Sequence, residues 1–236
     1  MSSSGSNSFM LPIPGQVPVA VKIDTPSRSG SGTPTLILAH GASNNLDYPL
    51  LARLATHLAG TESATVVRFN FPYVERGVDS PDCREVLGCT MLAVYDHVRN
   101  HLETSEAALF VGGKSLGACT AAELVSQGPE EGGVDAAGLI LLGYPLHTPG
   151  REDHLFLEPL RRIAIPSLFF AGTLDPFCNP ELLRPLLGGL AHPADLHIIE
   201  GADHSLQLAS KAEREARDTY GEIADQVEAF IARAAE

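Results

Sequence analysis

The sequence predicts an α/β fold in which helices cover both faces of a doubly wound, mainly parallel sheet. Short runs of β-branched, Leu and Phe residues recur at strand length, and most are apolar at successive positions, as strands buried on both faces require. From about residue 35 these runs alternate with longer segments whose apolar residues step by three or four. Such alternation implies right-handed crossovers between parallel strands.

Strands are expected at residues 18–23, 35–39, 64–69, 108–111, 138–142, 167–171 and 196–199, each bounded by Gly, Pro or polar residues. The first helix is expected at 47–59, where Leu50, Leu51, Leu54 and Leu58 share a face. A longer one at 82–102 aligns Met91, Val94, Tyr95, Val98 and Leu102, and the C-terminal helix aligns Tyr220, Ile223, Ala224, Val227, Phe230 and Ile231. Residues 116–127 are rich in Ala, Cys and Thr; such small side chains let a helix approach a sheet closely, so this helix is placed centrally. Residues 27–34 and 128–136 read as surface turns. Residues 1–16 are expected to be a flexible tail with an edge strand, and 17–236 a single domain. Between Gly143 and Pro166 there is room for a loop and one short helix at 155–162, but not for a helical lid, so the site should be open.

The composition agrees with one core and excludes several functions. At 236 residues and 44% hydrophobic content the chain is short for two domains of ~100–200 residues each. Its 29 acidic residues against 16 Lys and Arg leave a formal charge of −13 with no basic run, which repels a nucleic-acid backbone. The longest apolar stretch, near 136–146, is broken by glycine and Pro145 and falls short of the ~20 residues that cross a bilayer. Residues 1–9 lack the basic and apolar regions of a secretory signal. Cys83, Cys89, Cys119 and Cys178 have no paired spacing, so reduced thiols and a cytoplasmic location are expected.

The chemistry centres on Gly113-Lys114-Ser115-Leu116-Gly117, directly after an apolar strand and before the small-residue helix. A nucleophile on so tight a turn has strained φ/ψ, and glycines two residues to either side keep the turn uncrowded. A serine hydroxyl needs a base, and the base needs a carboxylate to fix its tautomer. Downstream, Asp175 and His204 each lie just beyond the end of a predicted strand, where open α/β sheets bind ligands. Asp203 is the rival acid, ranked lower because adjacent side chains diverge. Leu116 and Ala42, in His40-Gly41-Ala42-Ser43, should supply the two amides of an oxyanion hole. His40 is read as a turn-stabilising residue, and His57, His97, His101, His192 and His197 as structural or solvated.

Tyr73 and His147 lie on loops after strand ends and can line a substrate cleft; His147 can bind a substrate carboxylate or cap its Pro-rich turn. Arg151, Asp153 and His154 lack metal-ligand spacing, so no metal is expected. No Walker-type loop or dinucleotide fingerprint occurs, so no cofactor is expected either. Cys119 and Cys178 are read as packed thiols.

The blocks HGAS (40–43), GGKSLG (112–117), GTLDPF (172–177) and GADHS (201–205) resemble those of the α/β hydrolase superfamily, over the chain from about Thr35 onward. Tyr144-Pro145-Leu146-His147 with Pro149, together with RFNFPY at 68–73, is similar to a lidless group that includes the testis-expressed and NSL-complex-subunit hydrolase-like proteins, related to dienelactone hydrolases. The resemblance implies the same nucleophile, acid, base and oxyanion donors. Dienelactone hydrolases usually carry cysteine at the elbow where this chain has serine, so their lactone substrates do not transfer. Lys114 stands where the subgroup often has Arg, to anchor the turn or to meet an acidic substrate. The expected function is hydrolysis of a small or medium carboxylic ester or thioester through an acyl-enzyme on Ser115. The alternatives are a non-catalytic interaction protein on the same fold, which would have a protein partner, and a peptidase or acyltransferase using the same triad.

Overall fold

The computed structural model describes residues 5–30, 32–102, 107–192 and 194–235. Its strands are β1 (Gly5–Leu11), β2 (Val19–Thr25), β3 (Thr35–Ala39), β4 (Thr65–Phe69), β5 (Leu109–Lys114), β6 (Gly138–Leu142), β7 (Ser167–Gly172) and β8 (Ala194–Ile199). Its helices are α1 (Pro49–Gly60), α2 (Pro72–Glu75), α3 (Arg84–His101), α4 (Leu116–Gln127), α5 (Glu158–Arg162), α6 (Pro180–Leu187), α7 (Lys211–Ala216) and α8 (Thr219–Ala234). All the strands join one sheet in the order β1-β2-β4-β3-β5-β6-β7-β8. The β1–β2 and β2–β4 pairs are antiparallel and every other pair is parallel. The sequence-based fold class is thus observed, without a lid.

Alternation along the strands explains the unbroken apolar runs. Leu36 and Leu38 of β3 face one side, with Val66, Phe110 and Ile140, against Leu50, Leu54 and Leu58 of α1 and Val227 and Ile231 of α8. Ile37 and Ala39 face the other, with Val67, Val111 and Leu141, against Met91, Val94 and Val98 of α3 and the alanines of α4. A strand covered on both sides has no position where a polar residue is cheap. The chain turns one way from β3 to β4 and the other way to β5, so the loops leaving β3 and β5 open a crevice between them at the C-terminal edge.

Three features went beyond the sequence reading. Residues 5–11 form a full edge strand, paired from Gly5 opposite Thr25 to Leu11 opposite Val19; residues 1–4 of the expected tail lie outside the described residues. The helix expected at 155–162 begins only at Glu158, because the Leu155 backbone bridges to His147 and Phe156 N–H donates to Leu146 O. Helices α2 and α7 are too short to show a helical stripe, whereas α6 buries Pro180, Leu183 and Leu187 at helical spacing, and two of the three carry readable caps. The Asn179 side chain accepts from Glu181 N–H at the start of α6, and Ser210 with Glu213 forms a capping box on α7. Among the described residues no helix is long and apolar enough to cross a membrane.

Leu54 is fully buried between α1 and the sheet. Leu54→Ala is expected to lower the unfolding free energy by about 2–5 kcal/mol. In urea denaturation the midpoint should fall with the slope unchanged.

Candidate active site

Strand β5 ends in a turn that holds Ser115 at φ 52° and ψ −111°, a region that side-chain-bearing residues rarely adopt. Such a conformation costs on the order of 1–3 kcal/mol and survives only where its surroundings leave no alternative. Ser115 N–H donates to Leu142 O at 3.0 Å and Ser115 O accepts from Cys119 N–H at 3.0 Å, so both sides of the turn are fixed. The flanking glycines make the turn possible. A Cβ on Gly113 would lie 2.5 Å from the Gly117 carbonyl carbon, and one on Gly117 would lie 2.4 Å from Ala39 O.

Three predicted residues from three separate loops meet here. His204 Nε2 lies 2.8 Å from Ser115 Oγ, and His204 Nδ1 lies 2.8 and 3.0 Å from the two carboxylate oxygens of Asp175. With Nδ1–H donating to the carboxylate, Nε2 is left as the acceptor facing the serine hydroxyl. The Asp175 side chain is 0% exposed and that of His204 22% exposed, so the acid end is dry and the serine end open. Phe177 N–H also donates to Asp175 at 2.8 Å, and the Phe177 ring lies 4.5 Å from the imidazole. Asp203 is exposed and turned away: its carboxylate accepts from Ser205 N–H at 2.8 Å and caps its own turn. Of the two candidate acids, Asp175 is the one that meets the imidazole.

The amides of Leu116 and Ala42 have no acceptor among the described residues, which leaves both available to an anion beside Ser115. The loop that carries Ala42 is gripped by the 68–73 segment. Arg68 donates to Leu46 O at 2.7 Å, Asn70 Oδ1 accepts from Leu46 N–H at 2.8 Å, and Phe71 N–H donates to His40 Nε2 at 3.1 Å. Tyr73 Oη reaches Ala42 O at 2.7 Å and Gly41 O at 3.2 Å.

Two expectations about the cleft are corrected. Tyr73 is only 2% exposed and its hydroxyl donates to those two carbonyls, so it braces the loop that carries Ala42 rather than lining the cleft. His147, also 2% exposed, donates from Nδ1 to Thr148 O and accepts at Nε2 from Asn179 N–H, both at 3.1 Å. With both nitrogens occupied it latches its turn to the start of α6, the capping alternative. Nothing in the sequence separates a loop tyrosine or histidine that faces the cleft from one that faces the fold.

The remaining residues also have definite places. Arg151 pairs with Asp153 at 3.1 Å on the surface, and His154 packs edge-on against Phe156. No group of three His, Cys, Asp or Glu that could hold a metal occurs among the described residues. Burial pushes the thiols of Cys119 and Cys178 up to about 12, so both are neutral packed groups. Lys114 is buried beneath the His204 loop and makes no hydrogen bond that would anchor the turn among the described residues.

His40 is fully buried, donates from Nδ1 to Gly41 O at 2.8 Å, and has its pKa lowered by burial to about 4. The unfolded chain takes up a proton on this ring below its ordinary value of 6.5, whereas the folded chain resists until about 4. Its share of the stability is therefore complete above pH 6.5 and is lost as pH falls from 6.5 to 4. Unfolding free energies measured across that window should decline less steeply for His40→Gln than for wild type, by about 3 kcal/mol in total.

The geometry can be set beside known proteins. A family model described as an alpha/beta hydrolase domain matches residues 32–232. An α/β serine hydrolase homologue from Coxiella burnetii superposes with a TM-score of 0.70 at 20% identity, covering 98% of this chain and 97% of that one. A dienelactone hydrolase from Anabaena variabilis gives 0.74 at 16% identity, covering 99% of each chain. A lidless α/β serine hydrolase from Xanthomonas campestris gives 0.67 at 20% identity, covering 98% of this chain and 94% of that one. These structures share the fold, and the family match spans Ala42, Ser115, Asp175 and His204: the chain belongs to the α/β hydrolase family.

Proposed function

We propose that the protein is a serine hydrolase of the carboxylesterase or thioesterase type, acting on a small or medium ester or thioester. The observation that carries the reading is the relay from Ser115 through His204 to the dry carboxylate of Asp175, beside two amides with no internal acceptor. His204 Nε2 takes the hydroxyl proton as Ser115 Oγ attacks the carbonyl carbon. The carbonyl oxygen becomes an oxyanion on the Leu116 and Ala42 amides, each such donor being worth about 3–4 kcal/mol in the transition state. The imidazolium, steadied by Asp175, protonates the departing alcohol or thiol. Water then enters, gives a proton to His204 as its oxygen attacks the acyl carbon, and the imidazolium returns that proton to Ser115 Oγ as the acid leaves.

An open site without a lid suits substrates of modest size. The absence of a lid gives no apolar cover for a long acyl chain. Cys83, Cys89, Cys119 and Cys178 are all free thiols, which supports a reducing, cytoplasmic setting.

Intact-mass measurement after incubation with a fluorophosphonate tests the reading. One adduct is expected on wild type and none on Ser115→Ala, which should also lose ester hydrolysis while staying folded; a folded wild type that stays unlabelled overturns the proposal. Removing the Tyr73 hydroxyl loosens the Ala42 donor without touching Ser115 or His204. Tyr73→Phe should therefore slow labelling about ten- to a hundredfold, since small misplacements of a reacting group carry penalties of that size. The hydrogen-bond loss should cost only about 1 kcal/mol of stability.

A further inference from the structure

Lys114 is the last residue of β5, immediately before Ser115, and lies opposite Leu142 of β6 on the face covered by α1 and α8. Its chain passes the oxyanion loop, where a Cβ on Gly41 would lie 3.5 Å from Lys114 Cγ. The ammonium then arrives behind the imidazole. A Cβ on Gly143 would lie 3.6 Å from Lys114 Nζ, 3.7 Å from His204 Cε1 and 3.3 Å from His204 O, so the space that this glycine leaves empty is shared by the two side chains.

The residue is 3% exposed, yet Nζ has neither a hydrogen-bond nor an ion-pair partner among the described residues. Its stem is enclosed while the ammonium at its tip is not fully shut off from solvent, and an apolar side chain of similar length would cover the same ground without bringing a charge there. Anchoring the turn therefore does not account for it. The charged groups near enough to act on it are Asp175 from the loop after β7 and, from its exposed turn, Asp203 of the loop after β8; the loop after β3 presents the neutral Asn44. Asp175 is hydrogen-bonded to His204, and Lys114 is the cation set beside that pair.

We propose that Lys114 is a positioning residue of the catalytic relay, a fixed ammonium behind His204 that offsets Asp175 and Asp203 and keeps the imidazole in its neutral, proton-accepting form. The proposal rests on the serine-hydrolase reading of the same site. Burial lowers the lysine pKa to about 8, so the ammonium is largely charged at neutral pH and loses its proton within an accessible range.

The test is the second-order rate of fluorophosphonate labelling at Ser115 from pH 5 to 9 for wild type, Lys114→Met and Lys114→Arg. The acid limb of the profile should move up by about half a pH unit or more in Lys114→Met, where the opposing charge is gone. It should stay with wild type in Lys114→Arg. A folded Lys114→Met whose acid limb superimposes on wild type overturns the proposal, as does an equal displacement in Lys114→Arg. Should the variants fail to fold, the His204 Cε1–H resonance of wild type serves instead. Titrated by NMR from pH 5 to 10, it should show a second step between pH 7 and 9 as the neighbouring ammonium loses its proton, and a single step overturns the assignment. A wild type that resists labelling refutes the hydrolase reading, whereas the NMR titration judges Lys114 independently of it.

Discussion

A serine held at φ 52° needs neighbours that give it nowhere else to go, and much of the molecule is arranged around that requirement. The turn is closed by backbone bonds to Leu142 and Cys119, and the sheet and α4 press on it from both sides. The pressure is close enough that Gly113 and Gly117 have no room for a methyl group. The small residues Ala118, Ala121 and Ala122 along α4 follow from the same approach: a helix that begins against Ala39 of β3 cannot carry bulk on its inner face. Bulk is supplied from the next position outward, by Met91, Val94 and Val98 of α3.

The other parts of the site are held less by strain than by hydrogen bonds among buried polar groups. His40 and Tyr73 are both buried and both engaged, one between Gly41 O and Phe71 N–H, the other on the carbonyls of Gly41 and Ala42. An unsatisfied group at either position would cost roughly 1–3 kcal/mol, so each bond defines the loop as firmly as it supports it. The His204 loop is treated in the same way from the opposite side. Thr219 donates to Leu206 O at 2.9 Å, where Leu206 has φ 58°, and the Tyr220 hydroxyl donates to Ser205 O at 3.1 Å and lies 3.3 Å from that of Tyr48. The helix that packs the core with Ile223 and Val227 thus also pins the loop that presents His204.

Much of this was legible in the sequence because it follows from periodicity and from position relative to strand ends. Unbroken apolar runs such as TLILA and SLFFAG can only be strands covered on both faces, and residues just past such runs fall on one edge of a parallel sheet. That logic brings Ser115, Asp175 and His204 together without any knowledge of distances. It does not extend to orientation. Tyr73 and His147 follow strand ends just as Asp175 does, but which way each side chain turns depends on whether a carbonyl or amide from a distant loop lies within reach. The edge strand 5–11 was faint for another reason: GSNSF is polar, and its pairing is earned through backbone bonds to β2 rather than through a buried face.

The two cations buried near the site show how differently the same charge can be used. Arg68 is enclosed between Asp24, 2.7 Å from its guanidinium, and Asp47 at 3.3 Å, and it donates to Leu46 O, so its charge is neutralised where it stands and its geometry fixes the loop. A planar fork with five donors suits that work. Lys114, with a single compact charge and no hydrogen-bond or ion-pair partner among the described residues, fixes nothing by contact; its charge lies beside His204 at the space left by Gly143 and within electrostatic reach of Asp175 and Asp203. A paired charge is largely cancelled where it stands, whereas an unpaired one acts on the charges around it. Placing this cation one residue before Ser115 sets its charge at the point of the fold where Ser115, His204 and Asp175 meet.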